Sequence, residues 1–429
     1  MSLRNVYGIR LFYLERARNR FAVPLAVAAV LVYIYRSIEQ QVNFEVAVDF
    51  TFYRSAAVSL ANNLDPYQGF LAVCPRPGTS CGGFNGFYIY PPLLAELMRP
   101  LVGMSVIDGA RLWTLADHVL LIVCIVVAYR TVGGWLSPAG RALLLAAAMV
   151  FLPLYENLYF MQVNMFLVVL LVVAAHYYVR QPGGVGAGVA LAVASVLRVT
   201  PAPLGLTLAR LPLGRRRVPA VLAMAATGVV LLGVLALLTP STIEYLTVVL
   251  PRLSGSTPWV ENLSVPAVLM RARELAPQLA TPLLYLIPLL SVAFLGVTWW
   301  RSRGIEDARG RALVFAALLA AIPILSSVTE QHHLVAELLV FALLAPALRI
   351  GSRPWWLALA AYPLLWFGHD DGYNFLLTQS WDVSYWLALQ MLVPVNLVGM
   401  ILLWLACLEA IRRHRLSASR ASPHAGGDA

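Results

Sequence analysis

Long apolar runs, separated by short clusters of arginine, proline and glycine, divide most of the chain. A helix needs about 20 apolar residues to cross the hydrocarbon of a bilayer, and several runs are shorter than that. The pattern predicts an all-α integral membrane protein with about 12 transmembrane helices. The runs cover residues 21–36, 109–129, 141–156, 162–179, 185–198, 201–212, 218–238, 281–300, 312–330, 333–348, 355–368 and 384–408.

Composition agrees with a membrane location. The 429 residues are 60% hydrophobic and only 12% charged, whereas soluble domains carry about 25% charged residues. All 31 basic residues are arginine, which together with abundant Ala, Val, Leu and Pro favours a GC-rich, actinobacterial genome. The net charge of +10 would favour nucleic acid in a soluble protein. Here it reflects loop topology, and the apolar runs exclude a soluble nucleic-acid binder.

The arginines predict the orientation in the membrane. If residues 90–104 lie on the surface, 22 of the 31 arginines fall on the side of the N-terminus. Such a bias marks the cytoplasmic side, so both termini are predicted to be cytoplasmic in a multi-pass plasma membrane protein. Five arginines precede the first apolar run, which argues against a cleavable signal peptide. We therefore divide the chain into a basic N-terminus (1–20), a membrane domain (21–410) and a disordered cytoplasmic tail (411–429).

Residues 37–108 then form a long first outer loop. Two juxtamembrane helices are predicted in this loop, near 50–63 and 91–104. An aromatic, glycine-rich piece between them contains Cys74 and Cys81. On an oxidising outer face these two cysteines would be able to form a disulfide.

A few polar or reactive side chains lie within the predicted spans. Cys124 and Cys407 are expected to be inert packing residues, because they stand in apolar helices. Asp117 and His118 lie inside the second span, where ionisable groups are costly and often functional. The simpler account is that these two side chains bond to each other.

Polar residues are concentrated at the predicted outer ends of the helices. Each has an ordinary explanation: Asp49 would cap a helix, Arg198 would extend towards lipid head groups, and the histidines would be satisfied interfacial residues. Taken together, however, they offer a cation for phosphate, a carboxylate for a hydroxyl, and many hydrogen-bonding groups. That set suits sugar transfer from a lipid phosphate. The main members are Asp49, Glu156, Asn157, Gln162, Asn164, Arg198, Thr200, Glu261, Asn262, Ser264, Arg271, Arg273, Ser326, Ser327, Glu330, His332 and His333.

The histidine pair is a candidate metal site. Glu330, His333 and Glu337 have the spacing of one helix face, but His332 would point about 100° away from His333. Adjacent histidines on one helix do not chelate a single ion easily. We therefore predict no metal and no cofactor.

At these positions the sequence resembles glycosyltransferase family 87, the actinobacterial α-mannosyltransferases that use polyprenyl-phosphate-mannose and have the GT-C fold. The resemblance extends in order over residues 49 to 333. Three departures are visible: Met161 replaces the usual glycine, Arg198 the usual lysine, and "VTEQ" the usual residues before the histidines. The matching segments are "DFTFYRSAAVSLANNLDPY", "YIYPPLLAELMRPL", "MQVNMFLVVLL", "LRVTPAPL", "ENLSVPAVLMR" and "SSVTEQHHLV".

The resemblance implies an inverting transfer from a polyprenyl-phosphate-sugar to a cell-envelope glycolipid or polysaccharide, such as a lipoarabinomannan chain, on the extracytoplasmic side. It implies that Asp49 is the general base and that Arg198, with His332 and His333, binds the donor phosphate. Mannose is the favoured sugar, and arabinofuranose is the alternative. The residues implied for sugar or acceptor contacts are Gln162, Asn164, Asn262, Ser264, Tyr88, Tyr90, Trp259, Glu261 and Arg271.

Two other functions fit a polytopic membrane protein. One is a glycolipid transporter or flippase, which would be expected to show internal repeats and interrupted helices at the membrane midplane. The other is a scaffold subunit with an inactive site. We find no convincing repeat, and the polar groups lie at one surface, so the pattern favours an enzyme.

Overall fold

The computed structural model describes residues 3–74, 87–181, 184–211, 217–253, 256–257, 261–276, 280–367 and 394–421. Within these ranges all regular secondary structure is helical and no strand occurs, as the sequence predicts. The α-helices in chain order are α1 (Leu3–Val42), α2 (Val48–Ala61), α3 (Gln68–Val73), α4 (Pro92–Met98), α5 (Val106–Val132), α6 (Pro138–Met149), α7 (Leu152–Tyr159), α8 (Asn164–Arg180), α9 (Val185–Leu197), α10 (Gly205–Ala209), α11 (Arg217–Leu238), α12 (Ser241–Glu244), α13 (Leu250–Leu253), α14 (Val265–Leu275), α15 (Ala280–Arg301), α16 (Ala308–Leu325), α17 (Glu337–Leu344), α18 (Arg353–Trp366) and α19 (Val395–Ala421).

Five of these helices are long and apolar enough to cross a membrane. A sixth span is possible where α6 and α7 meet at an angle of 43°. The total of twelve therefore remains a prediction. The five segments are Asn19–Val42, Val106–Trp135, Arg217–Leu238, Ala308–Leu325 and Val395–Ala418.

The predicted run 201–212 does not fold as one spanning helix. It contains a short 3-10 helix (Ala202–Leu204) followed by α10. Together these rise roughly 14 Å, about half of the hydrocarbon thickness. Pro201 and Pro203 separate this segment from α9, because a proline cannot donate the backbone hydrogen bond that would continue α9.

Several helices begin at a polar side chain that the sequence places just before the first turn. The hydroxyl of Ser105 accepts from the backbone N–H of Asp108, and Ser137 accepts from Gly140 in the same way. The carboxylate of Asp307 accepts from the N–H groups of Arg309 and Gly310 at the start of α16. These bonds satisfy backbone donors that have no partner within the helix.

Small residues allow α9 and α11 to pack closely. A Cβ on Gly188 would overlap the backbone oxygen of Ala220. Without a hydrophobic driving force inside a bilayer, helices associate through such close contacts between small residues. The sequence "VGAGVALA" at the start of α9 therefore sets how near the two helices approach.

The described part of the predicted outer loop (37–74 and 87–108) folds as a compact layer with its own core, which we call the outer layer after that prediction. Helices occur where the two juxtamembrane helices are predicted, namely α2 and α4 with the 3-10 turn Arg99–Leu101, and α3 is an additional helix. Their position beside the membrane stays a prediction. Cys74 is buried and disulfide-bonded, while Cys124 and Cys407 are free and buried, as expected. The expected partner, Cys81, lies outside the described residues. The layer buries Phe50, Tyr53, Tyr67, Phe70, Tyr88, Leu94 and Met98 against Trp113 of α5.

Arginines gather at the opposite end of the bundle, which we call the arginine end. There Arg180 donates to the carbonyl oxygen of Thr131 at 2.9 Å, and Arg210 donates to the hydroxyl of Ser302 at 2.9 Å. Helices α8 and α16 each have one terminus at this end. The segregation of arginines to one end agrees with the pattern from which the orientation was predicted.

The structure differs from two predictions, one for a pair of residues in α5 and one for the C-terminal segment. Asp117 and His118 do not bond to each other: Nδ1 of His118 lies 2.6 Å from the Tyr33 hydroxyl, and the Asp117 oxygens have no hydrogen-bond partner among the described residues. The reason is that neighbouring side chains on a helix diverge by about 100°. Helix α19 also continues past residue 411, where a disordered tail was expected, and ends at Ala421.

The close contact at Gly188 predicts a position-specific effect on stability. We expect Gly188→Ala to destabilise the protein by about 1–3 kcal/mol, because the new methyl group meets a backbone atom that cannot move away alone. Gly228→Ala in α11, where nothing lies within 4 Å of the new Cβ, should be neutral or stabilising by up to about 1 kcal/mol. Thermal unfolding of both variants in detergent measures the difference, and equal melting temperatures would contradict the inferred contact.

Candidate active site

Asp49 lies in the first turn of α2 and points into the protein. The residue that caps this helix is Ala47, which has no side-chain cap, so the predicted capping role of Asp49 is wrong. Instead, Oδ2 of Asp49 accepts a hydrogen bond from Nε2 of Gln162 at 2.6 Å. Burial raises the pKa of Asp49 to about 6, although the Gln162 bond opposes this shift. A carboxylate with such a pKa suits proton transfer near neutral pH.

Gln162 is buried and held by two tyrosines. Its Oε1 accepts from the hydroxyl of Tyr53 at 2.8 Å and lies 3.4 Å from that of Tyr90. The two hydroxyls are 3.3 Å apart. Tyr53 follows Asp49 by four residues and so shares its face of α2. Because both ends of the Gln162 amide are occupied, the geometry favours Gln162 as a residue that positions Asp49.

The turn that carries Gln162 contains an unusual backbone conformation. Met161 has φ of +52°, in the left-handed region that favours glycine. Its side chain is buried in the core of the outer layer. The glycine that the resemblance implies at this position would adopt the same conformation without steric cost.

Arg198 stands at the end of α9 and joins three parts of the chain. Its Nη1 donates to Oδ1 of Asn164 at 2.6 Å, and its Nη2 lies 2.8 Å from Nε2 of His333. The guanidinium also lies 5.5 Å from the ring centre of Tyr90. Asn164 in turn donates to the backbone oxygen of His332 at 3.3 Å. Asn164 therefore holds Arg198 in place, and its buried amide is occupied.

Glu330, His332 and His333 form a compact cluster beside Arg198. They are grouped so that one ligand atom from each lies within 4.8 Å of the others, a geometry that could hold a metal ion. Nε2 of His332 is 3.2 Å from Oε2 of Glu330. The spacing of Glu330, His333 and Glu337 fits one face of an α-helix, but residues Gln331–Ala336 form a 3-10 helix, and Glu337 lies outside the cluster. The fold therefore brings His332, in place of Glu337, to the other two residues.

The charges of this region interact. Burial raises the pKa of Glu330 to about 8, the negative charges of Asp49 and Glu261 add to that shift, and Arg198 opposes it. Burial also raises the pKa of Tyr90. The charge of Arg198 opposes this increase, and the charges of Asp49 and Glu330 add to it. These shared effects place Asp49, Arg198 and Glu330 around one site.

Other predicted contact residues make hydrogen bonds within the surrounding loops. Asn262 is buried; its oxygen accepts from the N–H of Thr329 at 2.9 Å, and its Nδ2 donates to the carbonyl of Ser327 at 2.8 Å. Ser264 caps α14. The hydroxyl of Tyr88 donates to the carbonyl of Pro91 at 2.6 Å. These bonds shape the loops around the site, and the sugar contacts of these residues stay predictions.

The last three predicted contact residues differ in what the structure describes. Nη1 of Arg271 donates to the backbone oxygen of Asn262 at 3.0 Å, so Arg271 is bonded to the loop that contains Asn262. Trp259 lies outside the described residues. Glu261 is half-buried and near enough to Glu330 to affect its pKa.

A cavity of about 620 Å³ begins at Arg198. One wall carries Tyr90 and Tyr245, and the rest is mainly aliphatic. Tyr245 begins a π-helical turn, Tyr245–Val249, a feature often found at functional sites. The other lining residues are Ile89, Pro91, Val199, Thr200, Ala202, Pro203, Leu250, Pro251, Leu253, Ser291, Leu295, Ile322, Leu325, Ser326, Ser327 and Val328.

Tyr53 and Tyr245 are absent from the residues that the sequence predicts for the site, and Glu330 is predicted there only as a member of the polar set and as a candidate metal ligand. Tyr53 had a usable signal, since it stands four residues after Asp49. Tyr245 had none, because its approach to Arg198 depends on packing between distant segments. Proximity of Glu330 to Asp49 likewise arises only from the fold.

The comparisons with known proteins agree with the motifs. A family model described as glycosyltransferase family 87 matches residues 88–328, which is more than half of the chain. The match includes Tyr90, Gln162 and Arg198, whereas Asp49 and His333 lie outside it. No curated protein matches the chain.

Because Met161 has a positive φ, we expect glycine to be a more stable replacement there than alanine, which is the reverse of the order within a helix. Glycine and alanine both remove the buried side chain, but only alanine keeps the steric strain of positive φ. We expect Met161→Gly to be more stable than Met161→Ala by about 0.5–1 kcal/mol. Unfolding in detergent measures both. At Met165, buried within α8, alanine should be the more stable replacement, and the same order at both positions would refute the explanation.

Proposed function

The chain belongs to glycosyltransferase family 87, and from that premise we propose that this membrane glycosyltransferase uses a polyprenyl-phosphate-sugar as donor. The sugar, with mannose favoured, is transferred with inversion to a cell-envelope glycolipid or polysaccharide. The reaction takes place on the extracytoplasmic side of the plasma membrane.

The observation that carries the proposal is the position of Arg198. Its guanidinium stands where an apolar cavity of about 620 Å³ meets the polar cluster around Asp49. A polyprenyl phosphate is an apolar chain that ends in an anion, so it matches this change in polarity. An arginine binds phosphate through a planar fork of donors.

The contact between Arg198 and His333 also favours an anion. Nδ1 of His333 lies 3.0 Å from the N–H of Glu330, and Nε2 lies 2.8 Å from Arg198. A neutral imidazole has one N–H and one acceptor, so it cannot accept from both donors. One of these two contacts therefore places two hydrogen-bond donors next to each other. A phosphate oxygen that accepts from both Arg198 and His333 would remove this unfavourable contact.

Asp49 is proposed as the general base. It would take the proton of the acceptor hydroxyl while that oxygen forms a bond to the anomeric carbon. The bond between this carbon and the phosphate oxygen breaks, and its electron pair leaves with the polyprenyl phosphate. General base catalysis typically contributes 10²–10⁴ in rate. Gln162 would hold the carboxylate in the direction of attack.

We also propose that transfer needs no metal ion. The leaving phosphate already carries its charge, and Arg198 offers a permanent cation on the side of the Glu330, His332 and His333 cluster. A divalent ion at this cluster would have to share space with the guanidinium, which like charges disfavour.

The first test is Asp49→Asn in membranes offered radiolabelled polyprenyl-phosphate-mannose and, separately, the arabinofuranose donor. Asparagine keeps the size of the side chain but cannot take a proton, so we expect transfer to fall by about 10²-fold or more. Glu45→Gln is the matched control, because Glu45 is exposed four residues away. Its activity should equal that of the wild type, which should use one donor only.

The outcomes separate the parts of the proposal. Transfer that survives Asp49→Asn would remove Asp49 as the base and point to Glu330 or Glu261. Use of arabinofuranose alone would replace the favoured donor by its alternative. Loss of wild-type transfer in a chelator, restored by magnesium or manganese, would contradict metal independence.

The pH dependence of kcat/KM should reveal how the hydrogen bond from Gln162 affects the pKa of Asp49. Only ionised Asp49 accepts a proton, so kcat/KM should rise with pH and reach its half-maximum near the pKa of about 6. Gln162→Met removes a hydrogen bond that stabilises the ionised form, so the midpoint should move to higher pH. A lower rate with an unmoved midpoint would show that Gln162 affects packing alone.

A further inference from the structure

A second cavity, of about 710 Å³, lies at the arginine end of the bundle. It is formed where α16 and α18 begin and where α19 nears its end. Helix α16 separates it from the Glu330 region by 18 residues, or about 27 Å. The proposed transfer reaction uses none of its residues.

The rim of this cavity is strongly basic. Three arginines, Arg309, Arg349 and Arg413, line it together with one carboxylate, Asp307. That carboxylate is already engaged, because its Oδ2 lies 2.6 Å from Nε2 of His414. The lining therefore has an excess of positive charge that its own acid does not neutralise.

Two of the three arginines are available to a ligand. Arg413 donates to Glu409 at 3.1 Å. By contrast, the side chains of Arg309 and Arg349 make no hydrogen bond or ion pair with any other described residue; Arg309 only approaches the Trp135 ring, at 5.8 Å. Both side chains are exposed at the cavity rim.

The walls beneath the rim are apolar. Leu313 of α16 and Leu343 of α17 line the cavity, and Leu416 of α19 completes this surface. A free phosphate would fill only a small part of the volume, given that a water molecule occupies about 30 Å³ in the liquid. A cation-rich rim above aliphatic side chains instead matches a charged head group followed by the start of acyl chains. Basic pockets between membrane helices are known to bind such head groups.

We infer that this cavity binds the head group of an anionic phospholipid. The lipid phosphate accepts hydrogen bonds from Arg309 and Arg349, and the upper parts of the acyl chains lie against the leucines. The site is separate from the donor cavity at Arg198, so the molecule holds lipid phosphates at both ends.

The test measures lipid binding by the full chain purified in dodecyl maltoside. Native mass spectrometry and thermal unfolding would compare dioleoyl phosphatidylglycerol with dioleoyl phosphatidylcholine. Wild type should bind phosphatidylglycerol more tightly and gain stability with its concentration. Removing two charge-assisted contacts in the double variant Arg309→Gln, Arg349→Gln should weaken that binding by about tenfold or more.

Arg353→Gln is the matched control. Arg353 is exposed at the start of α18, four residues from Arg349, but does not line the cavity. This control should bind phosphatidylglycerol within about twofold of wild type, since it loses charge outside the site. Equal weakening in the control would show a general charge effect and overturn the proposal.

Two further results would also overturn it. Equal affinity of wild type for the two lipids would show that the cavity does not select an anionic head group. Stabilisation by inorganic phosphate as large as that by phosphatidylglycerol, and lost in the double variant, would assign the cavity to a free anion. Each readout is independent of sugar transfer, so failure here leaves the proposed reaction untouched.

Discussion

The arrangement at one end of this protein depends on keeping a guanidinium charged among apolar helices. Arg198 is permanently protonated, and transferring such a group out of water is costly unless hydrogen bonds replace the lost hydration. Asn164 provides a hydrogen-bond acceptor at 2.6 Å, and the face of Tyr90 adds an electrostatic contact. Because these residues come from separate segments, stabilising one cation also fixes how the segments meet.

The same end contains a carboxylate that does not neutralise this cation. Among the described residues no ion pair joins Asp49 to Arg198; Asp49 is bonded to Gln162 instead. A direct ion pair would lower the pKa of Asp49 and occupy the guanidinium, so neither a proton nor a phosphate could be bound well. Tyr90 lies close enough to both charged groups for each of them to affect its pKa. Opposite charges held close but unpaired cost stability, and functional sites are where that cost is commonly retained.

The sequence was sufficient for features that arise from local pattern. Apolar runs predicted the helical membrane class, and short motifs predicted the family and brought Asp49, Gln162 and Arg198 into one hypothesis. It was insufficient where the deciding partner is distant. Asp49 was expected to cap α2 because capping is a local property, whereas its actual partner is 113 residues away. The resemblance implied sugar contacts for Asn262 and Ser264, and these stay predictions; the structure adds that both residues make hydrogen bonds within the loops.

Met161 shows how local strain and distant partners are connected. A left-handed residue is costly unless it is glycine, so a methionine there indicates that the surrounding structure fixes the turn. The turn lies between α7 and α8 and must direct Gln162 towards α2, where Tyr53 and Asp49 occupy both ends of its amide. The buried side chain of Met161 packs in the same layer, and this burial offsets part of the backbone strain. Methionine is therefore tolerated at this position because the packing of its side chain offsets part of the backbone strain that glycine would avoid.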